Sequence, residues 1–95
     1  MPTFVTLAKF TDQGIRDIKG SPERLQAFRA AAEKMGVKVK DVWYTVGNYD
    51  IVTITEGTGE DITATLLKIG SLGNVRTETM RGFTPDEFKK IVGKL

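Results

Sequence analysis

The 95-residue chain carries 14 basic and 12 acidic side chains, a formal net charge of +2, and 40% hydrophobic and 27% charged residues. Two separate cores in so short a chain would each be marginal, so we treat residues 1–95 as a single domain. Like charges form no long run, so the sequence lacks the basic arm typical of nucleic-acid-binding tails.

Several common site chemistries are excluded because the chain has neither cysteine nor histidine. Disulfides, thiolate and imidazole metal sites, histidine-ligated haem and the Ser–His–Asp triad all need one of these residues. We therefore expect no metal site and no cofactor, and no catalytic motif is recognisable. The amino terminus lacks the layout of a signal peptide, and the apolar runs are too short to span a membrane, which predicts a cytoplasmic protein.

The first half of the chain predicts a strand followed by a helix. Phe4 to Phe10 is short and rich in strand-forming residues, and Thr11 to Gly20 is typical of a loop with at most one helical turn. Ser21-Pro22 predicts a helix start, with Ser21 as the capping residue. Its apolar stripe is Leu25, Phe28, Ala32 and Met35, and Gly36 suits the left-handed position after the helix end.

The second half predicts a hairpin, a helix, a strand and a last helix. Val37 to Val46 and Tyr49 to Glu56 are two strands separated only by Gly47-Asn48, which indicates a two-residue turn. A helix over Glu60 to Gly70 and a strand over Val75 to Phe83 follow. Thr84-Pro85-Asp86-Glu87 is a capping box that starts the last helix.

The predicted order is therefore β-α-β-β-α-β-α. Its first six elements match the split β-α-β pattern of the ferredoxin-like fold. We expect an α+β fold with one four-stranded antiparallel sheet, both main helices on one face, and an extra C-terminal helix.

The predicted hairpin has apolar residues on both faces. A two-residue turn sets Val42, Tyr44, Val46, Tyr49 and Ile51 on one face and Val39, Trp43, Val52 and Ile54 on the other. Helices cover only one face, and an uncovered apolar patch is typical of an interface. The sequence thus predicts a homodimer, or a higher homo-oligomer, packed sheet against sheet. The alternative is that the last helix covers this face within one monomer.

A glycine-containing segment, Gly57-Thr58-Gly59-Glu60, follows a strand and opens a helix, which is the setting of a phosphate-binding loop. Glu60 and Asp61 would place negative charge where a phosphate should lie, and acidic residues favour a helix amino terminus on their own account. We interpret the segment as a structural turn.

Polar and aromatic residues around the hairpin and the fourth strand are the candidate ligand-binding residues. They are Trp43, Tyr44, Tyr49, Asp50, Thr77, Thr79 and Arg81, with Lys9 and Arg16 as further positive charges. They could line a pocket for an anionic or polar ligand. Two structural alternatives stay open: Asp50 accepts backbone amides or the Thr45 hydroxyl, and the charges of the fourth strand protect a sheet edge.

Two separated stretches resemble the GYD domain family. They are Tyr44-Thr45-Val46-Gly47-Asn48-Tyr49-Asp50 and Gly73-Asn74-Val75-Arg76-Thr77-Glu78-Thr79, supported by Gln13-Gly14-Ile15-Arg16 and the Ser21-Pro22 helix start. The name residues correspond to Gly47, Tyr49 and Asp50. The resemblance covers nearly the whole chain and implies a ferredoxin-like dimeric α/β barrel. It implies no catalytic residues.

Four functions follow as hypotheses. The leading one is a homodimeric domain that binds a small molecule. The second is a cofactor-free enzyme, similar to small monooxygenases or isomerases of the same barrel type, which would use Tyr49, Asp50 and Arg81. A regulatory module with a protein partner is the third. RNA binding is disfavoured, because the aromatic signature run of RNA-recognition domains is missing.

Overall fold

All four predicted strands and all three predicted helices are present in the computed structural model, which describes residues 1–95. The elements are β1 (Thr3–Phe10), α1 (Asp12–Arg16), a 3-10 turn (Ile18–Gly20), α2 (Ser21–Lys34), β2 (Lys38–Tyr44), β3 (Ile51–Glu56), α3 (Gly59–Ser71), β4 (Val75–Gly82) and α4 (Pro85–Val92). The short α1 and the 3-10 turn lie in the segment predicted as a loop with at most one helical turn. No helix combines the length and apolar character needed to cross a membrane.

The four strands form one antiparallel sheet in the order β2-β3-β1-β4. This arrangement confirms the predicted ferredoxin-like α+β fold. Helices α2 and α3 are the two crossover connections, and right-handed crossovers place both on one side of the sheet. We call that side the helix face and the opposite side the open face.

The predicted hairpin register is confirmed at Tyr44 opposite Ile51 and Trp43 opposite Val52. The predicted face of Val39 is wrong. An irregularity at Lys40 interrupts the pairing between Val39 and Asp41, and one extra residue moves every preceding side chain to the other face. Val39 therefore packs on the helix face against the core.

The connection between β2 and β3 is longer than the predicted two-residue turn. The strands end at Tyr44 and resume at Ile51. Asn48 has a negative φ, whereas a type I′ turn needs positive φ at both central residues. The amide of Thr45 donates to the carbonyl of Asp50 over 2.8 Å, and Val46 is fully exposed. Val46 and Tyr49 therefore do not extend the paired strands. The predicted face of Tyr49 is also wrong, because its hydroxyl bonds Glu78 on the open face, opposite to Tyr44 and Ile51.

Ser21 is not the helix cap that the sequence predicts. It is the first residue of α2, Gly20 holds the cap position without a side-chain bond, and the Ser21 Oγ lies 2.9 Å from the Tyr44 hydroxyl. A tertiary partner has replaced the local one. After the carboxyl end of α2, Gly36 has φ +83°, as predicted for the left-handed residue that follows a helix.

Thr58 caps α3 by accepting a hydrogen bond from the Asp61 amide over 3.1 Å. The preceding Gly57 amide donates to the Pro2 carbonyl. Glu60 and Asp61 occupy the first turn, where carboxylates interact favourably with the helix dipole. The segment is a structural turn, as the sequence interpretation expects.

The core is small and unusually hydroxylated. Its buried hydrophobic cluster is Ala32, Val37 and Ile62, and no large side chain is fully buried. The buried polar residues are Thr6, Ser21, Thr53, Thr55 and Thr65. Small residues on the helix face leave space beneath α2 and α3.

The junction between α1 and the start of β4 is built from the segments that resemble the GYD family. The Thr11 amide donates to the Asn74 carbonyl over 3.0 Å, and the Gln13 side-chain amide donates to the Asn74 side chain over 2.9 Å. Gly14 is buried here, and a Cβ on it would lie only 2.0 Å from the Asn74 carbonyl oxygen. Only glycine fits this position.

We therefore expect Gly14→Ala to destabilise the fold by roughly 1–3 kcal/mol, because overpacking forces backbone to move. Gly70→Ala is the matched control: a Cβ there meets no atom within 4 Å, and alanine favours a helix, so stability should stay equal or rise. Urea unfolding at one fixed protein concentration measures both. Equal stability of the two variants would contradict the close approach.

Candidate functional site

The open face of the sheet carries an apolar stripe that no helix of the chain covers. Trp43 is 63% exposed and Met80 is 50% exposed, although both lie on strands. The half-buried members beside them are Val5, Leu7, Val52 and Ile54. Open faces of antiparallel sheets are normally polar, so this stripe is a candidate interaction surface.

A polar cluster borders the stripe at the end nearest the β2–β3 loop. The Tyr49 hydroxyl donates to the Glu78 carboxylate over 2.7 Å, and the Lys9 ammonium lies 5.2 Å from the centroid of the Tyr49 ring. The hydrogen bond to Glu78 is the main reason that the pKa of Tyr49 is raised, followed by burial and by the charge of Glu78. Tyr49 is thus held as a neutral hydrogen-bond donor.

Asp50 has a structural role at the edge of this cluster. Its carboxylate accepts a hydrogen bond from the Phe10 amide over 2.8 Å, and its own amide donates to the Ala8 carbonyl over 2.8 Å. The Thr45 hydroxyl bonds the Tyr49 carbonyl instead of Asp50. Asp50 therefore ties the loop to β1 through backbone amides, one of the two bonding patterns considered for it.

Four other candidate residues lie on the helix face. Tyr44 bonds Ser21, and the Thr79 hydroxyl lies 2.8 Å from that of Thr6. The Cζ of Arg81 lies 4.4 Å from the centroid of the Phe83 ring, and the guanidinium donates to the Thr3 carbonyl. Thr77 is half-buried beside α3. On β4, Thr77, Thr79 and Arg81 share the helix face, whereas Arg76 and Glu78 lie on the open face.

The candidate residues therefore do not line one pocket. Lys9, Trp43 and Tyr49 belong to the open face, whereas Tyr44, Thr77, Thr79 and Arg81 belong to the helix face. Arg16 is exposed at the end of α1 and forms no ion pair. Tyr49 and Arg81, two of the groups that a cofactor-free enzyme would use, lie on opposite sides of the sheet.

Sequence reasoning missed a cavity of about 400 Å³ beneath α2 and α3. It lies between those helices and the helix face, and Arg24 and Lys68 are its charged lining residues. The sequence contains one signal of the cavity, namely small residues on three separate elements. Alanines on one side of α2 face threonines and an alanine on β1 and β3. Recognising it requires knowing which segments face each other.

The last helix is a second exposed apolar surface. Thr84 and Glu87 form the predicted capping box, and this bonding holds the pKa of the Glu87 carboxyl below its usual value. No residue of α4 is buried. Its apolar residues follow helical spacing yet remain exposed: Phe88, Ile91, Val92 and the nearby Leu95. This helix does not cover the open face, so the alternative in which the last helix covers that face is wrong.

The family model of the GYD domain matches residues 4–92 of this chain. A relative from Thermus thermophilus is 33% identical over 84 residues, which are 84% of this chain and 86% of the relative. That protein is named glutamine synthetase and cystathionine beta-lyase binding protein.

Two crystal structures share the fold. MtbAldR superposes with a TM-score of 0.67 at 12% identity, over 87% of this chain and 53% of that one. FFRP-DM1 superposes with a TM-score of 0.62 at 22% identity, over 87% of this chain and 100% of that one. At these identities the likeness concerns the architecture alone.

The Tyr49–Glu78 bond predicts an alkaline shift in tyrosine ionisation. In a Tyr44→Phe background Tyr49 is the sole tyrosine, and its pKa should lie above the ordinary value of 10.0. The hydrogen bond from Tyr49 to Glu78 is fully present at pH values below the ordinary pKa of tyrosine. It is lost as the pH rises through the raised pKa of Tyr49. Glu78→Gln should lower the pKa, whereas Glu60→Gln, on α3, should not. Tyrosinate absorbance as a function of pH measures the pKa of Tyr49. Equal pKa values in the two variants would refute the hydrogen bond.

Proposed function

Because the chain belongs to the GYD domain family and leaves two apolar surfaces uncovered, we propose that it is a self-associating, protein-binding module. The observation that carries the proposal is the apolar stripe on the open face. In this proposal a second copy of the chain covers the stripe, and α4 binds a partner enzyme.

The composition of the open face supports self-association. Its centre is apolar, with Trp43 and Met80 the most exposed members. Lys9 and Glu78 supply charges at the border, where Glu78 is hydrogen-bonded to Tyr49. An apolar centre with a polar rim, and aromatic residues among the anchors, is the usual anatomy of a protein interface. Two copies facing through this stripe would form the dimeric α/β barrel that the family resemblance implies.

The C-terminal helix supports a second contact. Phe88, Ile91 and Val92 repeat at the spacing of one helix face, with Leu95 one turn further. A helix of only eight residues has little stability of its own, so it gains from packing its apolar face on another protein. Amphipathic helices bind protein grooves through this kind of spacing.

The partner class is inferred from the relative. Its printed name describes binding to glutamine synthetase and cystathionine beta-lyase, and the alignment spans most of both chains. We propose that this chain likewise binds an enzyme of one of these two types, in the cytoplasm. A small ligand on the open face would need the second copy as its other wall, so such binding there depends on self-association.

Trp43→Glu should convert the assembly into single chains, because the interface would have to bury an unpaired carboxylate. Size-exclusion chromatography with light scattering, at micromolar concentration, should give at least twice the chain mass for the unmodified protein. Leu67→Glu is the matched control, since Leu67 is 70% exposed on α3. A monomeric unmodified protein, or an equal effect of both variants, refutes self-association through the open face.

Binding to the enzymes is tested with purified glutamine synthetase and cystathionine beta-lyase from the organism that encodes this chain. Surface plasmon resonance should show saturable binding to at least one of them. Phe88→Ser with Ile91→Ser should weaken it by about tenfold or more, since both remove anchors. Lys90→Ser, with a similar cost in helix propensity, should have little effect. Absence of binding to both enzymes contradicts the proposed partner class.

A further inference from the structure

The cavity beneath α2 and α3 is a separate feature from the two surfaces of the proposed function. It measures about 400 Å³ and lies on the opposite side of the sheet from Trp43. Twelve of its twenty lining residues are hydrophobic, including Leu25 and Phe28 from α2 and Leu66 and Ile69 from α3. Protein interiors are ordinarily close-packed, with few voids larger than a water molecule.

The cavity exists because small residues face each other across two layers. Ala27 and Ala31 line it from α2, and Thr6, Ala8 and Thr53 line it from the sheet. Larger side chains at these positions would fill the space between the layers. Its volume falls within the range of about 300–1,000 Å³ that is common for small-molecule pockets. The geometry therefore suits an apolar ligand body.

The charges at the cavity are of one sign. Arg24 and Lys68 line it, and no acidic residue does. The Nη1 of Arg24 donates to the Asp17 carboxylate and to the Asp17 carbonyl, each over 2.9 Å, which holds the guanidinium at the start of α2. Asp17 pairs with only one nitrogen of this guanidinium, so the remaining donors of Arg24 and the ammonium of Lys68 favour a ligand with a negative group.

The second nitrogen of the same guanidinium lacks a partner. The Nη2 of Arg24 is shielded from solvent and has no acceptor in the protein. A shielded donor without an acceptor is unfavourable, and a carboxylate is the acceptor that best fits a guanidinium. Arg24 is itself a lining residue of the cavity, so the carboxylate of a ligand bound at this end would be the acceptor that Nη2 lacks. Ser21, one helical turn earlier, also lines this end and bonds Tyr44.

We propose that this cavity binds an apolar monocarboxylate, whose hydrocarbon part lies between the helices and the sheet and whose carboxylate meets Arg24. Three observations support this ligand class: the walls are largely apolar, no acidic residue lines the cavity, and the Nη2 of Arg24 has no acceptor. Thr77, one of the polar residues selected from the sequence, lies on the floor of the same cavity. The site does not depend on the open face or on α4.

Isothermal titration calorimetry with sodium decanoate, below its micelle concentration, tests the proposal, and decanol is the neutral probe of equal chain length. Decanoate should bind saturably and at least about tenfold more tightly than decanol, as expected for one charge-assisted contact. Absence of saturable binding, or equal binding of the two probes, overturns it.

Variants identify the site. Arg24→Gln should weaken decanoate binding by about tenfold and leave decanol unchanged, whereas Arg29→Gln, an exposed change on the same helix, should alter neither. Ala31→Phe should fill the cavity and abolish both. Equal effects of Arg24→Gln and Arg29→Gln would indicate unspecific charge attraction and overturn the assignment. Circular dichroism checks that each variant is folded.

One further variant separates this inference from the proposed function. Trp43→Glu should disrupt self-association but preserve decanoate affinity, because Trp43 lies on the other face. Loss of decanoate binding in a folded Trp43→Glu monomer would mean that the site requires the assembled protein, which contradicts a cavity contained in one chain.

Discussion

The structure depends on one constraint: a single sheet has two faces, and both crossover helices must lie on the same one. Right-handed β1–α2–β2 and β3–α3–β4 connections leave no choice in this. Side chains alternate along each strand, so half of the apolar strand residues necessarily face away from the helices. Trp43 and Met80 stay exposed for this reason, and the chain contains no further element that covers them.

The same alternation divides the polar residues between two environments. On β4, Glu78 faces the open side and bonds Tyr49, while its neighbours Thr77 and Thr79 face the helices. Residues that are neighbours in the sequence therefore lie on opposite faces of the sheet. The open face carries an apolar stripe suited to a protein, and a partly open cavity between the helix face and the two helices is suited to a small molecule. The two proposals rest on different sides of one sheet and can fail independently.

The periodicity of hydrophobic residues was sufficient to predict the strands, the helices and their order. It could not reveal the irregularity at Lys40, because one extra residue in a strand leaves both flanking segments looking regular. Ser21 has the residue type and position of a cap, but the Tyr44 hydroxyl lies within its reach and competes for the bond. The cavity was hidden for a related reason: it arises between Ala31 and strand residues far away in the sequence.

Several of the residues that carry the family resemblance hold segments of the fold together. Gly14 allows α1 to lie against the Asn74 carbonyl, Gln13 bonds across the same junction, and Asp50 joins the β2–β3 loop to the amide of Phe10. A match built on such residues identifies an architecture, because each is required by a close approach or a backbone bond. It does not specify what the architecture binds. That information lies in the side chains that the fold leaves unpartnered, namely the apolar stripe, the exposed face of α4 and the Nη2 of Arg24.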